Sequence, residues 1–374
     1  MIIRLCESGR AVSCLPRLVS LSRTALLVLV ALAAFSCAPS MASASESVLA
    51  PFERKEWPSF LERLRLPPRK AYAVLIQLPS AHPILLADAD ATRSSLVRNA
   101  LRPLHRAVAK AMIGHAMVGW QCATGRGLVS KTGQKSGQVM QMMLAGWGIT
   151  PLLSVFTDGR LVSLDQNPKG YMAQIAEGRA SILAVEISER SCQAMRHLLI
   201  RYITHPGKPA RRYGLLLDSN GFEGDGCMSF ALHVLASTGL FSETDRPFER
   251  SIRIYDGMLG RRINAPDGVQ PYVKAARQED ERLVPWLRLR FGSWKAGSLH
   301  EEVKVIDPEL VFAAVAALRR TAGEKAGRQQ RRALSSDDPE VAHAVRFTRA
   351  WVKKRYRVVR FIEPEAPFAL VLER

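Results

Sequence analysis

Residues 220–235 read Asn-Gly-Phe-Glu-Gly-Asp-Gly-Cys-Met-Ser-Phe-Ala-Leu-His-Val-Leu, and the character of the chain changes at Cys227. Gly221, Gly224 and Gly226 let the backbone turn tightly, and Phe230, Ala231, Val234 and Leu235 then recur at helical spacing. The pattern predicts a helix that opens at Cys227. A thiol in a first helical turn faces unpaired N–H groups and the positive end of the helix dipole, so its pKa is expected to fall. The competing reading is a structural cysteine, because free Cys is among the most buried residue types.

Upstream, Tyr72–Leu78 reads as a strand and Thr92–Ala111 as a helix rich in Arg and Leu. Met112–Gln121 reads as a strand whose alternation puts His115, Met117, Gly119 and Gln121 on one face. Residues 123–138 are rich in Gly, Ser and Lys and read as a loop or a hairpin with weak strands. Ala180–Ile187 is an apolar, β-branched strand, and Ser188 is placed to cap a helix from Glu189 to about Thr204. Tyr213–Leu217 reads as a short extended segment before the Cys227 turn. Downstream, the pattern predicts strands at Ser251–Tyr255, Tyr356–Ile362 and Phe368–Leu372, and helices at Pro308–Arg319 and Asp338–Lys354. These elements make an α+β fold with a central antiparallel sheet and packed helices.

The first residues carry a cationic start (Arg4, Arg10, Arg17, Arg23), an apolar run Ala25–Phe35 and small residues ending in Ala42-Ser43-Ala44. That is the pattern of a secretory signal peptide, its apolar core too short for a membrane span of roughly twenty residues. Residues 1–44 are therefore expected to be a leader, and the protein to be exported to the periplasm or cell envelope. Cys37, just after the apolar run, offers a lipidation site as an alternative tether. Cleavage after Ala44 leaves 330 residues and lowers the net charge from +19 to +16. A basic exported chain is drawn to anionic envelope polymers or a membrane surface. No aromatic-interleaved basic motif points to specific nucleic-acid binding.

Of six cysteines, Cys122, Cys192 and Cys227 lie beyond the leader. Three thiols in an oxidising compartment cannot all pair. The economical expectation is a Cys122–Cys192 disulfide with Cys227 free; three reduced, buried cysteines are the alternative.

A cysteine nucleophile needs a base and a polar group that orients the base. His115, on a strand beside Gly114, is the candidate base. The order of a histidine strand, a strand and helix, Tyr213, a glycine turn and a cysteine at a helix start resembles the circularly permuted, NlpC-like branch of the papain-fold superfamily. That branch includes bacterial envelope hydrolases and relatives of lecithin:retinol acyltransferase. The resemblance covers residues 110–245 and implies a papain-like core there, with Cys227 as nucleophile and His115 as general base and acid. Residues 45–109 would be an N-terminal extension, and residues 246–374 a C-terminal α+β extension. The resemblance draws the third catalytic group from the strand after the histidine strand, which indicates Thr132 or Gln134. Gln134 is the expected orienting group, with Gln121 a same-strand alternative. Asp225 is expected to cap the Cys227 helix rather than to act on the thiol, since a carboxylate there would raise the thiol pKa. The Cys227 N–H would contribute to an oxyanion site. His233, roughly 240 degrees around the helix from Cys227, is read as structural.

Other chemistries lack their signatures. His197 and His205 have no metal-like spacing, and neither an HExxH nor a paired CxxC motif occurs. Gly125–Thr132 approaches a phosphate loop, but Ser130 stands where that loop needs glycine, and no G-x-S-x-G elbow is present. No metal or cofactor is therefore expected. The resulting expectation is an exported thiol hydrolase or acyltransferase acting on a peptidoglycan peptide, a protein or an acyl lipid. The alternative is a non-catalytic envelope protein that binds polyanionic wall or lipid.

Overall fold

The computed structural model describes residues 48–78, 80, 82–100, 114–133, 137–163, 180–241, 247–272, 281–321, 337–362 and 368–374. The expected leader, the second half of the predicted 92–111 helix and Gln134 lie outside them. Residues 48–374 form one compact unit.

The strands in chain order are β1 (Glu53–Arg54), β2 (Ala71–Leu78), β3 (His115–Cys122), β4 (Gly125–Thr132), β5 (Val155–Phe156), β6 (Arg160–Val162), β7 (Ser181–Ile187), β8 (Glu249–Tyr255), β9 (Val269–Gln270), β10 (Leu299–Ile306), β11 (Val358–Ile362) and β12 (Phe368–Glu373). The main sheet has the order β1-β4-β3-β2-β7-β12-β11, with β6 paired to β4. Every residue of β2 and of β3 is buried, because helices cover one face of the sheet and the Trp57–Leu66 segment packs on the other. The fold is α+β. The expected antiparallel sheet needs one correction: β12 runs parallel to β7. The hairpin β11–β12 arrives after the helices Pro308–Thr321 and Pro339–Arg355, and such a crossover allows parallel pairing.

The boundaries expected near residues 110 and 245 do not divide this unit. β2, from the expected N-terminal extension, sits between β3 and β7, and β12, from the expected C-terminal extension, completes the same sheet. Residues 125–132, expected to be a loop or weak strand, form a full strand. Gly127 is needed there because the Trp120 ring lies over it, 2.0 Å from where a Cβ would stand.

Ser188 caps the helix Glu189–Thr204 by accepting from the Ser191 N–H at 3.0 Å. That helix turns Cys192, Met195, Leu199 and Tyr202 into the core. A disulfide joins Cys122, at the end of β3, to Cys192, and leaves Cys227 as a free, buried thiol.

Candidate functional site

The helix Cys227–Ala236 starts at the cysteine itself. Gly224 makes this possible, with φ at 127° and a Cβ position only 2.5 Å from the Arg212 carbonyl, so the turn fits against the chain before it without a side chain. The expected cap is corrected here. Gly226 occupies the N-cap, and Ser229 Oγ accepts from the Gly226 N–H at 3.0 Å. Asp225 instead points inward, where its side chain is fully buried and pairs with the Lys131 ammonium at 2.5 Å. Tyr202 donates to the same Asp225 oxygen at 2.6 Å. Burial pulls Lys131 down and pushes Asp225 up, and the attraction between the two opposes both shifts.

The Cys227 helix packs on the sheet face that carries Ala116, Val118 and Trp120. Its thiol donates to the Gly114 carbonyl at 3.9 Å, and the Tyr213 hydroxyl and the backbone of Ala116, Met228 and Cys227 offer it donors. Those donors favour a thiolate, as expected of a helix start, but burial outweighs them and pushes the thiol pKa up. The expectation of a lowered pKa is thus reversed, because the thiol is removed from water as well as placed at the positive end of the dipole.

His115 is the first residue of β3, and its Nε2 lies 2.6 Å from Ser130 Oγ. The Ser130 hydroxyl donates to the Ala116 carbonyl at 2.6 Å, so it accepts from His115. With the Ser130 hydroxyl as acceptor, Nε2 is the ring nitrogen that carries the proton in this contact. Burial pulls the His115 pKa down to about 4, so the imidazole is neutral at pH 7.

Ser130 lies on the face of Met117 and Leu128, opposite the face on which the Cys227 helix packs. Thiol and imidazole thus approach β3 from its two faces. They share one cavity of about 120 Å³ at the ends of β2 and β3, whose walls include Ile84, Leu96, Ile149, Ile254 and Trp294. Glu309 lines the same cavity, and its carboxylate accepts from the Ser80 hydroxyl and the Ile84 N–H. Burial and the neighbouring Asp307 push the Glu309 pKa up to about 7.

Of the residues considered as the orienting group, Thr132 and Gln121 bond elsewhere. Gln134 lies outside the described residues. Thr132 donates to the Gly133 carbonyl, and Gln121 donates to the carbonyls of Pro67 and Lys70. Ser130 holds that place, and Glu309 is a second polar group that sequence reasoning passed over. Register is the signal that was available for Ser130. Once β3 and β4 are taken as a hairpin turning at residues 123–124, Ser130 pairs with Met117 and stands diagonal to His115.

His233 pairs with Asn220 at 2.9 Å, on the outer side of the Cys227 helix. Among the described residues, no group of three or more His, Cys, Asp or Glu side chains is gathered as a metal site, and no helix is long and apolar enough to cross a membrane. Compared with known proteins, the chain matches no family model, no curated protein and no solved structure.

Proposed function

We propose that the protein is a thiol acyltransferase or hydrolase of the cell envelope, with Cys227 as nucleophile and His115 as the group that carries its proton. The observation that carries this reading is the opening of a free thiol, seated at a helix start, into a cavity that also holds a neutral imidazole. Both groups rest uncharged, so proton transfer accompanies attack instead of preceding it. As Sγ bonds to the carbonyl carbon, the thiol proton passes through the shared cavity to His115. The carbonyl oxygen gains negative charge near the Cys227 N–H, and the C–O or C–N bond breaks as the leaving group takes the proton from the imidazolium. Water or another acceptor then attacks the thioester, gives its proton to His115 and frees the thiol. The Ser130 hydroxyl holds the ring and its tautomer.

The apolar walls favour a substrate with an aliphatic acyl group, and the leader-like first 44 residues and the basic composition favour an envelope location. The order of His115 and Cys227 along the chain remains similar to the permuted papain-like hydrolases. The raised thiol pKa favours a second reading, a non-catalytic protein that holds an apolar envelope ligand in the same cavity.

Incubation of the full chain with p-nitrophenyl hexanoate, followed by peptide mass analysis, separates the two. Acyl transfer predicts one hexanoyl group on Cys227, absent in Cys227→Ala and formed at least 100-fold more slowly in His115→Ala. An unmodified Cys227, or a rate indifferent to His115, would leave only the binding reading.

A further inference from the structure

The segment 281–295, whose Trp294 lines the Cys227 cavity, has two unlike sides. Leu289 and Trp294 turn inward, Trp294 reaching the cavity and donating its indole N–H to the Leu289 carbonyl at 2.9 Å. On the outer side Leu283, Leu287 and Phe291 are 53%, 67% and 66% exposed. They follow one another at four-residue steps, which sets Leu287 and Phe291 on one side of the short helix Trp286–Phe291. Leu283 lies over Gly146, two residues beyond Leu144, which is itself 56% exposed. Soluble proteins scatter exposed apolar residues singly, and an aligned row is the mark of an interaction surface.

Among the described residues, three arginines flank this row. Arg282 and Arg288 are exposed, and the Arg290 guanidinium lies 4.8 Å from the Phe291 ring centroid. The described acidic groups nearby are engaged elsewhere. Glu281 lies 3.6 Å from Arg262, Asp88 pairs with Lys295, and Asp90 accepts from the Ser293 hydroxyl and the Trp294 N–H. Arg93 donates to the Phe291 carbonyl at 3.1 Å and so ties the end of the helix to the body of the protein.

We infer that the ridge Leu283–Leu287–Phe291, with its arginine rim, docks on the surface of an anionic lipid bilayer. Leu and Phe enter the acyl boundary while Arg282, Arg288 and Arg290 meet headgroup phosphates, the arrangement of an interfacial helix. Charge argues against a second copy as the occupant, because a two-fold contact through this ridge would bring like guanidinium groups together. A soluble polyanion has no use for the apolar row. The inference stands apart from the proposed acyl transfer, although docking here would set the segment that carries Trp294 against lipid.

Hydrogen–deuterium exchange of the full chain tests it residue by residue. Vesicles of phosphatidylglycerol with phosphatidylcholine should slow exchange at residues 283–292 at least fivefold, and pure phosphatidylcholine should do so far less. Leu287→Ser with Phe291→Ser should abolish the protection, and Arg282→Gln with Arg288→Gln should weaken it and its salt sensitivity. All four side chains are exposed, so both variants are expected to keep the wild-type exchange pattern elsewhere. Vesicle binding that leaves residues 283–292 unprotected would overturn the inference, as would no binding at all. Protection produced by raising protein concentration without lipid would assign the ridge to self-association instead.

Discussion

Ser130 and Lys131 are neighbours on β4, yet they serve opposite faces of the sheet under different physical rules. Ser130 meets His115 beside a cavity, through hydrogen bonds between neutral groups. Lys131 meets Asp225 and Tyr202 in a site with no exposure, where two full charges are held in low dielectric. Two successive side chains of one strand thus reach the two parts of the candidate site, one orienting the imidazole and the other fixing the turn that presents the thiol. Neutral polar groups cost little to retain beside a cavity, whereas a buried charge is tolerable only while its partner is present.

The largest effect should come from breaking the pair. Lys131→Met leaves Asp225 buried without its cation and is expected to destabilise the fold by about 3–5 kcal/mol in urea unfolding. Adding Asp225→Leu should recover most of that loss, because removing both charges removes the desolvation penalty along with the attraction. A single substitution that costs under about 1 kcal/mol would mean that water reaches the pair, and the contrast between the two faces would fall.

Glu309 sharpens the contrast from the other side, being a partly buried carboxyl whose donors, Ser80 and the Ile84 N–H, carry no charge. Its folded pKa of about 7 stands above the reference value of 4.5. The folded state therefore holds a proton that the unfolded state releases, and stability falls as pH rises from about 4.5 to 7. Glu309→Gln should match the wild type near pH 4.5 and exceed it by up to about 3 kcal/mol at pH 8. Equal stability at both pH values would show that Glu309 ionises as an ordinary surface carboxyl does.

What the sequence revealed follows the same division. Strands β2 and β7 and the helix after Ser188 were legible because apolar periodicity and a cap residue are local signals. The Cys227 helix start was legible for the same reason, as were the terminal strands. β4 was obscured because its Gly127 makes sense only beneath Trp120, across the hairpin. β10 was missed because Glu301, Glu302 and Lys304 interrupt its apolar residues, and its partner β8 lies more than forty residues earlier in the chain. The fates of Asp225 and Ser130 were hidden more deeply. A carboxylate before a helix reads as a cap unless the distant Lys131 is known to lie beneath it, and a serine in a glycine-rich stretch reads as loop until the register sets it diagonal to His115. The thiol pKa was misjudged because the helix start is written in the sequence, whereas the burial that overrides it is assembled from several distant segments.

Ser130→Ala makes the smallest and most discriminating test of the comparison. It removes the hydroxyl that accepts from His115 Nε2 without adding or removing charge, so it should cost only about 1–2 kcal/mol of stability. The imidazole would then lack the partner that selects its tautomer. If Ser130 orients a working base, hexanoylation of Cys227 should slow by about tenfold or more while the unfolding midpoint moves little. Ser130→Thr keeps a hydroxyl at the same position and should restore most of the rate. An acylation rate unchanged in Ser130→Ala would make the His115–Ser130 contact a packing feature of the sheet, and the two faces of β4 would then differ in polarity but not in purpose.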